Sequence, residues 1–177
     1  AECTLCHTMP AKYVLGLNTM QLNKVHDYDG VKANQLHTFD HVGLFKKPPP
    51  TTPEEAPKLA DYSDRSVPLE QRARSYLHSN CSHCHMKWGG GNAEFQLLAT
   101  LELKETGTVN TPAGHGRFDV ADGRILVPGD PDRSLIAHRM AKLGLGRMPH
   151  VGSLEIDTQG LELVRQWIKS LPKEQAE

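Results

Sequence analysis

Apolar residues recur at helical spacing in three stretches and lose that spacing between them. The most regular stretch is the last, where Leu161, Val164, Trp167, Ile168 and Leu171 share one face. That stripe predicts an amphipathic helix with Glu162, Arg165 and Lys169 facing water. Asp157 or Thr158 is placed to cap its start, and Pro172 ends it. A second stripe, Leu135, Ile136, Met140 and Leu143, follows Asp130-Pro131, a capping residue and a favoured first helical residue. Gly144 and Gly146 close that helix. A third stripe, Leu69, Ala73, Tyr76 and Leu77, opens at Pro68 and runs directly into Asn80-Cys81.

Elsewhere the pattern is weaker. Val14, Leu15, Leu17, Met20 and Leu22 give a rough helical face that Gly16 and Asn18 interrupt. Asp27-Tyr28-Asp29-Gly30 reads as a turn. Leu36, Phe39 and Val42 recur every three residues and predict a short helix within Val31 to Phe45, with His37 and His41 on one face. The stretch from Lys46 carries Pro48, Pro49, Pro50, Pro53 and Pro57, which excludes helix interior and central strand. It predicts an extended linker, packed along the surface or bridging two units. Residues 95–127 are irregular, with a short hairpin expected around Leu101–Leu103 and Ile125–Val127. The chain thus divides into an N-terminal module (1–45), a Pro-rich linker (46–67) and a helical segment (68–177), and the fold class expected is mainly α.

Composition limits what this fold can serve. The chain has 177 residues, 38% hydrophobic and only 6% aromatic, a modest core that gains from wrapping something apolar. A formal net charge of −1 gives no basic face for nucleic acid. No apolar run approaches the ~18 residues of a membrane span. No leader pattern precedes Cys3, so the expectation is a mature or trimmed chain, or the C-terminal part of a longer one.

The chemistry lies in the cysteines. All four belong to two copies of one pattern, Cys3-Thr4-Leu5-Cys6-His7 and Cys81-Ser82-His83-Cys84-His85. C-x-x-C-H is the attachment pattern of covalent c-type haem. Two thiols three positions apart reach the two vinyl groups of one porphyrin, and the next residue, His7 or His85, stands under the iron as proximal ligand. Two haem c groups are therefore expected, and with them an extracytoplasmic location, periplasmic in a Gram-negative bacterium. Gly89-Gly90-Gly91 after the second motif would let backbone approach the haem edge. One zinc ion on Cys3, Cys6, Cys81 and Cys84 is the competing reading, but the pairs lie far beyond the ~15–20 residues usual between zinc knuckles. A thioredoxin-like motif lacks its βαβ setting, and disulfides within each C-x-x-C would close loops too short to stabilise much.

Helix, C-x-x-C-H, irregular middle, helix, Arg147-Met148-Pro149 loop and amphipathic helix in that order resemble a class I cytochrome c domain over residues 66–172. The resemblance implies a helical domain around covalent haem, first and last helices crossed, preceded here by a small irregular haem-binding module. It also implies Met148 as sixth ligand, ahead of His150, Met140 and Met86. Val127-Pro128-Gly129-Asp130-Pro131-Asp132-Arg133-Ser134-Leu135, Arg147-Met148-Pro149 and Trp167-Ile168 are similar to the cytochrome c modules of planctomycete-type bacteria, which are commonly appended to large exported oxidoreductases or β-propeller proteins. Cys3 to His7, Gln21-Leu22-Asn23, Asn34-Gln35-Leu36 and His41 to Phe45 are similar to the region ahead of such modules.

The first motif has no Met-Pro loop. His41 is the leading candidate for the sixth ligand there, ahead of His37, Met20 and His26, with an open site as the remaining option. The function expected is electron transfer through two haems, the His/Met haem having the higher potential, with redox proteins or a fused dehydrogenase-type domain as partners. The alternatives are a diheme peroxidase-like enzyme and a ligand sensor with an open haem.

Overall fold

A computed structural model describes residues 2–48, 50–91, 94–114, 116 and 118–173. Its α-helices are α1 (Thr19–Leu22), α2 (Gln35–His41), α3 (Leu69–Cys81), α4 (Leu135–Met140) and α5 (Thr158–Ser170), and its strands are β1 (Val25–Tyr28) and β2 (Val31–Asn34). His115 and the tail beyond Lys173 lie outside the described residues.

The expectation of a mainly α, class I cytochrome c-like helical fold is corrected. Among the described residues helix accounts for 30% and strand for 7%, a small, mixed and largely irregular fold. Three local outcomes produce the difference. The rough helical face across residues 14–22 yields only the single turn of α1, because Gly16 takes positive φ and Asn18 is extended as the cap. Val31–Asn34 is strand: β1 and β2 pair antiparallel with Tyr28 opposite Val31. The loop between them has φ of 54° at Asp29 and 95° at Gly30, the two positive values that a two-residue hairpin turn demands. Only then does α2 begin, with Asn34 as cap accepting from Leu36 N. Asp130 does not open α4. Its carboxylate accepts from the amides of Asp132 and Arg133 in a turn, and the helix waits until Ser134. The expected hairpin in the middle is absent among the described residues; Val109 and Leu126 form an isolated parallel bridge instead.

The two long helices are where the stripes place them, and α3 packs on α5. Asp157 caps α5 by accepting from Gly160 N at 2.9 Å. Gly160 faces the Tyr76 ring so closely that a Cβ would overlap it. The Tyr76 hydroxyl donates to Asp157 at 2.9 Å. Ala73, Leu77, Leu126, Ala137, Val164, Trp167 and Ile168 complete the core.

The proline stretch is tied down rather than loose. Asn23, 2% exposed, donates to the carbonyls of Pro53 at 2.7 Å and Ala56 at 3.1 Å and accepts from Asn34 at 2.8 Å. Leu59 N donates to Met20 O, and Ala60 N to the Ser75 hydroxyl on α3. The stretch therefore connects the hairpin to α3 by hydrogen bonds.

Candidate functional site

α3 ends in the second motif, and the motif keeps the helical path for one more turn. His85 N donates to Cys81 O at 2.9 Å and Cys84 N to the same carbonyl at 3.2 Å. Residues four apart on such a turn share a face, so Cys81 and His85 both look into one open cavity beside the core. The cavity walls are mostly apolar: Leu77 from α3, Ile136 and Met140 from α4, and Phe95 and Phe118 from the loops. Met148 reaches the same space from the loop after α4. That loop is held to the helix by Met148 N donating to Arg139 O and by Arg139 Nε donating to Gly146 O.

His85 is buried, and its ring stacks on Phe95 with centroids 4.5 Å apart and planes 12° apart. Its Nδ1 is buried without a hydrogen-bond partner. Burial pushes its pKa down to about 4, helped by the charges of Arg139, His83 and His150. The imidazole is thus neutral at pH 7, the form that ligates a metal. Burial likewise pushes the Cys81 thiol up to about 12. An apolar cavity with a neutral thiol, a neutral imidazole and a thioether on its walls suits an apolar macrocycle with a central metal.

The first motif is built differently. Residues 2–5 make a 3₁₀ turn, and His7 N donates to Cys3 O at 2.9 Å. Cys3 and His7 are exposed, and Cys6 is half-buried. His7 Nδ1 lies 2.7 Å from Tyr13 O. A ring nitrogen held by a carbonyl fixes the tautomer and leaves Nε2 free as a ligand.

The structure brings the two motifs together. Cys84 does not line the cavity; its Sγ lies 3.4 Å from Cys6 Sγ and 3.1 Å from Leu5 O. Burial raises the Cys84 thiol to about 12, and the contact with Cys6 adds to this. His83 joins them, with donor atoms of Cys6, His83 and Cys84 all within 4.8 Å of one another. The distal candidates for the first motif are dispersed over the hairpin module. His41 ends α2, exposed and without a side-chain hydrogen bond or ion pair among the described residues. His37 Nε2 lies 3.6 Å from the Glu54 carboxylate, His26 packs edge-on against Tyr28, and Met20 is half-buried on α1.

Sequence reasoning missed Arg139, Phe118 and His83 as parts of the site. Arg139 stacks over Phe118 with its charge on the cavity wall; no motif marks either residue. Met140, expected in the core, also lines the cavity.

No family model matches the chain, and neither the curated proteins nor the solved structures contain a match. Among the described residues no helix is long and apolar enough to cross a membrane.

Proposed function

We propose that the chain is an extracytoplasmic diheme c-type cytochrome. It carries single electrons between redox partners, either alone or as the C-terminal part of a larger oxidoreductase. The observation that carries this reading is that Cys81, His85 and Met148 all line one apolar cavity. Haem supplies reversible one-electron exchange at its iron. The chain's own residues do the rest. Cys81 and Cys84 would tether the group, Cys84 by turning from its contact with Cys6, while His85 would offer a neutral imidazole and Met148 a thioether. Leu77, Ile136 and Phe95 would give the group apolar walls. His and Met together raise a haem potential relative to two imidazoles. At the first motif Cys3 and Cys6 would tether a second group, His7 would ligate through Nε2 with Nδ1 held by Tyr13 O, and His41 is the proposed second ligand.

With both axial positions filled by side chains, a haem has no place for substrate, which separates a carrier from a peroxidase-like enzyme or a sensor. Visible absorption of protein made in a host that attaches haem tests this. Low-spin spectra in both oxidation states, without peroxide turnover or CO binding, are expected. A high-spin band with peroxide turnover would favour the enzyme.

A second reading has one observation in its favour. The Cys6, His83 and Cys84 donors are close enough to hold one soft cation. It leaves Cys3 and Cys81 without a role, and zinc analysis of the purified protein discriminates it.

A further inference from the structure

We propose that Cys6 and Cys84 form a disulfide that cross-links the two C-x-x-C-H motifs before haem is attached. The linkage stands on the placement of the two thiols; its bearing on haem loading rests on the diheme reading above. All four cysteines are free thiols, and those of the second motif face different ways. Cys81 lines the apolar cavity, whereas Cys84 Sγ lies 3.4 Å from Cys6 Sγ and 3.1 Å from Leu5 O. A disulfide brings two sulfurs to about 2.05 Å, a closure that rotation of the two side chains can supply. The backbone brings the partners together independently of those rotamers. The loop after the second motif folds back on it, with Gly91 N donating to Cys84 O at 3.0 Å. Its middle residue, Gly90, meets the first motif: a Cβ there would overlap the Leu5 carbonyl oxygen and lie 2.7 Å from the carbonyl carbon. The residue just before Cys6 is therefore seated against the loop just after Cys84.

The oxidant is a small-molecule disulfide of the extracytoplasmic space, where protein disulfides form and persist. One of the two thiols gives its proton to solvent, attacks a sulfur of that disulfide and displaces one half of it. The other thiol then loses its proton and attacks the protein sulfur of the mixed disulfide, displacing the second half. The protein gives up two electrons and two protons, and the external disulfide becomes two thiols. The new bond joins residues 78 positions apart, so it constrains the unfolded chain more than a bond within either motif does. It also takes one sulfur from each motif. Neither motif can then form both of its thioethers until a reductant restores Cys6 and Cys84.

The test is peptide mapping of the full-length chain made in a host that does not attach haem, reduced and then equilibrated with reduced and oxidised glutathione. After free thiols are alkylated, trypsin without reductant releases peptides 1–12 and 75–87, each carrying one motif. The expected product is these two peptides joined, with Cys3 and Cys81 alkylated. The same treatment in concentrated urea should leave them mostly unjoined, with disulfides inside each motif. Internal disulfides or free thiols throughout the folded chain would overturn the proposal. So would a join through Cys3 or Cys81, or an equal yield of the joined pair in urea. Cys3→Ser/Cys81→Ser removes both partners within the motifs and should still give the joined pair; should that form fail to fold, the wild-type map decides. Haem mass of protein from an attaching host is read separately. Two haems there, without the cross-link in the haem-free chain, deny only the disulfide; the cross-link in a chain that gains no haem denies only the diheme reading.

Discussion

The amide of Met148 donates to the carbonyl of Arg139 at 2.9 Å, tying the loop after α4 back onto the helix that lines the cavity. The bond is made by backbone, so it survives a change of side chain. Met148→Ala should leave the loop in place and remove only the thioether. The expected outcome is loss of the weak near-infrared sulfur-to-iron band and a lower potential for one haem, with thermal unfolding close to wild type. Near-infrared absorption with a redox titration checks this. An unchanged band would exclude Met148 as the ligand.

The distal ligand of the first motif is tested by comparing two histidines of α2. His37 faces Glu54 at 3.6 Å, whereas His41 has no such partner among the described residues. His41→Ala should turn one of two haems high-spin and open it to CO, leaving the other unchanged. His37→Ala should not. Electron paramagnetic resonance and CO difference spectra read both variants, and the reverse result would move the ligand to His37.

Gly160 carries the crossing of α3 and α5. A methyl group there meets the Tyr76 ring, and overpacking of this kind costs about 1–3 kcal/mol. Gly160→Ala should lower the unfolding free energy by an amount in that range, read as a lower urea midpoint with little change in slope. Equal midpoints would show that Tyr76 moves aside freely.

Tyr76 also makes stability depend on pH at the alkaline end. Burial, followed by the hydrogen bond to Asp157, raises its hydroxyl above the ordinary value of 10.0. The folded chain therefore holds this proton where the unfolded chain has lost it. Its contribution is complete below about pH 10 and falls as pH rises beyond that. Tyr76→Phe should be less stable at pH 7 by about 1 kcal/mol, the usual worth of one hydrogen bond. It should also lose part of the alkaline slope. Denaturation curves at pH 8 to 11 compare the two, and parallel slopes would contradict the assignment.

The long amphipathic helices were legible because a stripe of apolar residues with a cap describes a helix completely. Asp157 and the face from Leu161 to Leu171 leave little choice for α5. Short elements were not legible, because neighbours decide them. The spacing of Leu36, Phe39 and Val42 is helical, yet Val31–Asn34 pairs with β1 because Asp29-Gly30 turns the chain tightly first. That Asp-Gly signal was present in the sequence and pointed to a hairpin. Cys81, His85 and Met148 could be placed by pattern, and they share a cavity. Arg139 and Phe118 enter that site only through tertiary packing. The triglycine loop reads in the sequence as backbone that approaches a haem edge, whereas the structure sets Gly90 against the backbone of Leu5 in the other motif.

The diheme account is tested most directly by intact mass of the denatured protein after acid–acetone extraction, made in a host that attaches c-type haem. The account predicts a mass above the apoprotein by two haems, both resisting extraction. A mass higher by one haem, or an apoprotein mass with stoichiometric zinc released on denaturation, would contradict it.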